Sequence, residues 1–198
     1  MTQIVWDGRF LVADRKCFHN TSVFSAQKLR VHHKPEHNVV FAFAGTYEEC
    51  NIGDRIMGTD DNVELVEHAK SILTDPASNW QGLCVETFIR GQPRLYLCNY
   101  LGMREELPIE TTFAVGACAD EILFALRAWR AISKNMDIPA HYMFLPREER
   151  TLDEFKLVKR QAQALVNFLR TVLKGTCYDQ EDYQFDVYDS ITGEVLCL

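Results

Sequence analysis

The chain has 198 residues, 47% of them apolar and 25% charged, which is enough for one domain with a substantial core and excludes a disordered chain. Its net charge of −7 disfavours non-specific binding to nucleic acid or to an anionic membrane. Seven cysteines lie scattered without a C-x-x-C pair, the Met1 end has no basic-then-apolar leader, and the longest apolar run, VVFAFA, is too short to cross a bilayer, so a soluble cytosolic protein with reduced thiols is expected.

The first half reads as strands. TQIVW and RFLVA flank Asp7-Gly8, a dipeptide that accepts positive φ in a tight hairpin turn. Both strands are apolar at nearly every position, so both of their faces should be covered. The polar stretch RKCFHNTSVFSAQ reads as irregular. KLRVHH and NVVFAFA then flank KPE as a second hairpin. GTYEEC opens a helical region that continues, with a break near GTDDN, through VELVEHAKSIL.

WQGLCVETFIRGQPRLYLCNY gives a third hairpin with its turn at GQP, and ETTFAVGA a further strand. Two helices follow. In ADEILFALRAWRAI, the residues Ile122, Leu126, Trp129 and Ile132 recur at helical spacing; in TLDEFKLVKRQAQALVNFLRTVL, the stripe is Phe155, Val158, Ala162, Leu165, Leu169 and Val172. Thr151 and Glu154 fit a capping box at the start of the second helix. The proline-bounded residues 133–150 read as an inserted loop. YQFDVYDSITGEVLCL closes the chain as strand, turn and strand. Helices come in separate blocks instead of alternating with strands, which points to a layered α+β architecture in a single domain over residues 1–198.

No phosphate-binding glycine loop and no H-E-x-x-H occurs. VHHKPEH groups His32, His33 and His37 with Glu36. Adjacent histidines on a strand point to opposite faces, so a solvated hairpin turn is a better reading than a metal site. The basic, Trp129-containing stretch LRAWRAISK reads as charges flanking a core stripe.

One constellation carries chemistry. Removal of Met1, which is favoured before a small residue, would leave Thr2 as the amino terminus. A terminal threonine holds a hydroxyl nucleophile and, in its own α-amine, a base that titrates near pH ~8. Asp14 ends the strand beside the one that Thr2 leads. Lys28 opens the third strand, and Gly45 follows FAFA at a strand-to-helix turn.

The segments MTQIVWDGRFLVADR, AQKLRV, VVFAFAG, TTFAVGA and YDSITGEV occur in the order of the proteasome β-subunit family and look closest to the short proteasome-like proteins of bacteriophages. These are N-terminal-nucleophile hydrolases. The resemblance implies a four-layer αββα sandwich of two stacked, mainly antiparallel sheets covered by helices. It implies a threonine-type peptidase in which Thr2 is the nucleophile, Asp14 orients Lys28, Lys28 lowers the hydroxyl pKa or relays its proton, and the Gly45 N–H stabilises the oxyanion. Asp189 and Thr192, with Gly193, fit a D-x-x-[ST]-G turn that supports the terminal amine. Cys17, Ala26, Arg30, Phe43 and Tyr47 would line the pocket for the residue before the cut, with Phe43 making it shallow enough to favour small or medium apolar side chains. No metal or organic cofactor is implied. The implied partners are a peptide or protein substrate, other copies of the chain in a ring, and an ATP-dependent unfolding partner; nucleic acid and membrane are not among them.

The sequence departs from the family at Ala117, where a serine often follows the glycine and holds the terminal amine or a water. That departure supports an alternative, a non-catalytic assembly or interaction protein that retains Met1. Hydrolysis of a small-molecule amide is a third reading, since one fold serves several chemistries.

Overall fold

The computed structural model of the chain describes residues 2–19, 22–45, 80–99, 104–132, 152–176 and 184–198. β1 (Gln3–Trp6) and β2 (Phe10–Asp14) form the first hairpin. Its turn lies one residue later than Asp7-Gly8 suggests. Trp6 pairs with Leu11, the Asp7 side chain accepts the Arg9 and Phe10 N–H groups at 2.8 and 2.7 Å, and Gly8 supplies the positive φ of 104° that a tight hairpin requires.

The stretch expected to be irregular forms a small hairpin of its own, β3 (Lys16–His19) with β4 (Ser22–Ser25). Every residue of β4 is exposed, so no burial pattern marked it in the sequence. β5 (Leu29–His33), β6 (His37–Ala44), β7 (Gln81–Phe88), β8 (Arg94–Asn99) and β9 (Arg104–Leu107) follow one another as an antiparallel meander. β10 (Phe113–Gly116) returns to β1, and β11 (Phe185–Asp189) and β12 (Val195–Cys197) extend beyond β2. The other five-stranded sheet therefore has the order β10-β1-β2-β11-β12, with every pair antiparallel.

Side-chain alternation sorts the core into layers. Ile4, Trp6, Leu11, Ala13, Val115 and Tyr188 of the first sheet meet Leu29, Val40, Ala42, Leu83, Val85 and Leu95 of the second. Val5, Phe10, Val12, Ala114, Phe185 and Val187 face the other way, under α1 (Ala119–Ile132) and α2 (Leu152–Leu173). Ile122 and Leu126 from α1 and Val158, Ala162, Leu165 and Leu169 from α2 complete that layer. Burial of each large apolar side chain contributes about 1.5–3 kcal/mol. A third cluster, Val39, Phe41, Phe43, Trp80, Cys84 and Tyr96, lies on the far face of the second sheet.

The four-layer αββα sandwich is corrected by this arrangement. The described residues form three antiparallel sheets and only two helices. Each helix has one apolar stripe, and both stripes are used on the same face of the first sheet. The helical region expected after Gly45 and the insertion at 133–150 lie outside the described residues, as do Thr151 of the capping box and the N-terminal Met1. Among the described residues no helix is long and apolar enough to cross a membrane.

Candidate active site

β1 begins beside the end of β2, so Gln3 lies across from Asp14. The Asp14 carboxylate bends back toward it, and one oxygen accepts the Gln3 backbone N–H at 2.6 Å. The other accepts the Lys16 N–H at 3.0 Å and the Lys28 ammonium at 2.9 Å. The β3–β4 arm makes this possible. It leaves the sheet after Asp14 and is closed by the Ala26 N–H on the Arg15 carbonyl at 2.8 Å, which returns the chain so that Lys28 comes back to Asp14. The Lys28 ammonium also donates to the Lys16 carbonyl at 2.5 Å. Asp14 is fully buried and Lys28 is 9% exposed.

Thr2 sits at the head of this network and is itself 5% exposed. Its carbonyl is packed against Gly116, where an added Cβ would lie 1.8 Å from the Thr2 oxygen. The following residues, Ala117 and Cys118, turn into α1; Cys118 holds a φ of 58° and its carbonyl accepts the Ile122 N–H at 3.0 Å. Gly45 follows β6 directly and is exposed. Leu29 pairs with Ala42, so continuing that register places Lys28 opposite Phe43 and Gly45 at the same end of the second sheet. Thr2, Asp14, Lys28 and Gly45 thus share one end of the stacked sheets.

Asp189 and Thr192 do not join them. Phe185 pairs with Asp14, but Asp189 pairs with Phe10. Four residues of strand, about 13 Å, separate the D-x-x-[ST]-G turn from the Thr2 end. There the Asp189 carboxylate holds Arg9 through two bonds of 2.9 and 2.8 Å, and Arg9 also reaches Gln161 of α2 at 2.9 Å. The Thr192 hydroxyl accepts the Glu194 N–H at 3.3 Å, and Gly193 donates to the Asp189 carbonyl at 2.8 Å. This is the geometry of a braced hairpin turn.

The residues expected to line a substrate pocket are spread over the arm and the second sheet. Cys17 is half-buried on β3, and Ala26 is half-buried at the base of the arm. Arg30, also half-buried, pairs with Phe41, and so shares a face with Phe43. The Phe43 ring is 2% exposed and stacks on Trp80 with centroids 4.4 Å apart. Tyr47 lies outside the described residues. His33 Nδ1 meets the Asn38 side-chain oxygen at 2.9 Å and His37 stacks on Phe88; among the described residues no group of three or more His, Cys, Asp or Glu side chains is placed to hold a metal.

Three residues at the Thr2 end were not singled out from sequence. Gln3 is 2% exposed, and its side-chain Nε2 and Oε1 have no hydrogen-bond partner among the described residues. Arg15 pairs with Asp186 at 2.8 Å. Burial pushes the Asp186 carboxyl above its ordinary range, more than the Arg15 guanidinium draws it down. The bond to Asp186 raises the Arg15 pKa, because Arg15 is the more exposed member and loses less hydration. An aspartate inside the otherwise apolar FDVY was the available sequence signal for this pair.

No family model matches the sequence, and no curated protein matches it. Solved structures do. Anbu (ancestral beta-subunit) from Yersinia bercovieri superposes with a TM-score of 0.63 at 13% identity, over 100% of this chain and 86% of that one. An Anbu (Gly-1) mutant from Hyphomicrobium sp. strain MC1 gives 0.62 at 14% identity, covering 99% and 85%. A helical assembly of the Anbu complex from Pseudomonas aeruginosa gives 0.63 at 10% identity, covering 100% and 86%. At these identities the likeness is one of fold alone, the fold of the Anbu structures. These low-identity likenesses correct the closer resemblance to bacteriophage proteins, and with it the assignment to the N-terminal-nucleophile family: the three structures compared are Anbu proteins, at 10–14% identity.

Proposed function

We propose that the chain is a threonine-type amidohydrolase acting on peptide bonds, with Thr2 as its nucleophile once Met1 has been removed. The observation that carries this reading is the Asp14 carboxylate, buried and shared between the backbone of the residue after Thr2 and the Lys28 ammonium. A buried ion pair of this kind is weak support for stability by itself. Its position at the head of β1 is what a terminal nucleophile needs.

In this mechanism the Thr2 hydroxyl oxygen attacks the scissile carbonyl carbon while its proton passes to the free α-amine, directly or through a water. The oxyanion forms against the Gly45 N–H. The proton then goes to the leaving amine as the C–N bond breaks, leaving an ester on Thr2. Water hydrolyses that ester and restores the hydroxyl. Asp14 fixes Lys28 beside the nucleophile, and the cation favours the developing negative charge. Arg30 and Phe43, with Cys17, Ala26 and Tyr47, are the residues proposed to select the side chain before the cut. Asp189 and Thr192 are left out of the amine's support because the register sets them at the other end of the sheet. Association with further copies of the chain is part of the proposal; it rests on the fold shared with a protein solved as a helical assembly.

The test is the intact mass of the protein expressed in bacteria. Loss of one methionine from essentially all molecules is expected. A population that keeps Met1 would instead favour the non-catalytic reading, to which Ala117 already points.

A further inference from the structure

Gln3 is the anomaly at this end of the fold. Its backbone N–H is held by Asp14, and its strand is paired to Gly116 of β10. Its side chain alternates onto the face where Val5 meets the helices. The carboxamide is 2% exposed, and neither its Nε2 nor its Oε1 has a hydrogen-bond partner among the described residues. A buried carboxamide left in this state is destabilising at both of its ends, and an apolar side chain of the same length would avoid that loss.

Unsatisfied buried polar groups of this kind concentrate at functional positions. A carboxamide offers one donor group and one acceptor, which is the complement of water. Gln3 is also covalently next to Thr2 and lies across from Asp14. We infer that Gln3 is a positioning residue whose carboxamide holds an ordered water at the head of β1, beside the Thr2 backbone and Asp14. This rests on the reading of Thr2 as the nucleophile. It adds the group that keeps a water on the Asp14 side of the strand; alternation turns the Gln3 side chain to the face opposite the Thr2 side chain, so Gln3 acts on Thr2 through Asp14 and the backbone.

The experiment has two arms. In the first, NMR of the wild-type protein looks for a cross-relaxation signal between the Gln3 side-chain amide protons, assigned by their loss in Gln3→Met, and a long-lived water. That signal is expected whether or not Met1 is removed. Its absence would overturn the inference without touching the assignment of Thr2. In the second, acylation of Thr2 by a peptide electrophile is followed at saturation, at a temperature where wild type and Gln3→Met are both folded. The maximal rate is expected to fall by about tenfold to a hundredfold, with the half-saturating concentration unchanged. An unaltered maximal rate would overturn a positioning role. If wild type is not acylated at Thr2 at all, the reading of the nucleophile fails and the water signal alone decides Gln3. Should Gln3→Met not fold, Gln3→Asn takes its place, since it keeps the amide but withdraws it by one methylene; a smaller loss of rate is then expected, and no loss would count against the inference.

Discussion

One oxygen of the Asp14 side chain takes the backbone N–H of Gln3 at 2.6 Å, so the strand led by Thr2 is tied to the network that holds Lys28. The pairing is buried and charged on both sides. In Lys28→Met the Asp14 carboxylate loses its cation in a buried site, and a stability loss of about 3–5 kcal/mol is expected by urea unfolding. The double variant Lys28→Met with Asp14→Leu removes the uncompensated charge and should recover part of that loss, the Gln3 and Lys16 N–H groups still losing their acceptor. A double variant as unstable as the sum of the singles would show that the pair is not coupled as described.

Gly116 gives a second prediction. Its φ is 110°, and a Cβ there would collide with the Thr2 carbonyl oxygen. The positive φ alone costs a non-glycine residue about 1–3 kcal/mol, and the collision adds to it. Gly116→Ala is expected to lower the melting temperature and to displace Thr2. A variant with wild-type stability would mean that β10 lies farther from Thr2 than the structure places it.

Arg9 separates stability from chemistry. It bridges Asp189 and Gln161 at the far end of the first sheet. Arg9→Met leaves the buried Asp189 carboxylate without its cation and should cost about 3–5 kcal/mol. Below its melting temperature, acylation at Thr2 should proceed at the wild-type rate. A large fall in that rate would reconnect the Asp189 turn with the nucleophile.

The strands legible in the sequence are those with an apolar run or a turn signal beside them, including the partly exposed β5, β7, β8 and β12. β1, β2 and β11 are buried at every position, and their apolar runs were plain. β4 is exposed throughout and was missed, as was β9, an edge strand whose sequence, REEL, is mostly charged. The helices were legible from their stripes, but the layer each one covers was not, because a stripe shows that a face is buried and not which sheet buries it. At the site, Asp14 and Lys28 stood out as charges at strand ends, and the structure joins them. Asp189 and Thr192 matched a motif, but strand register, which a motif does not encode, sets them at the opposite end. Gln3 could not have been found from the sequence, since an unpartnered amide is a property of packing alone.

Asp186 sets an acid-side prediction. Burial raises its carboxyl above the ordinary value, which is near pH ~3.9. Between that value and the raised one, the folded protein binds more protons than the unfolded chain. Its stability contribution is therefore complete at lower pH and is lost as pH rises through the folded pKa. Stability measured against pH should show this downward step in wild type, and Asp186→Asn should lack it. The same profile in both proteins would assign the step elsewhere.

The central claim is that Thr2 is the nucleophile. Its most direct measurement is mass spectrometry of the protein treated with a threonine-directed peptide electrophile, with the adduct mapped to a residue. A single adduct on Thr2 in protein that has lost Met1, abolished in Thr2→Ala and strongly reduced in Lys28→Met, is the expected result. Equal labelling of wild type and Thr2→Ala would contradict the account and place the reactive group elsewhere.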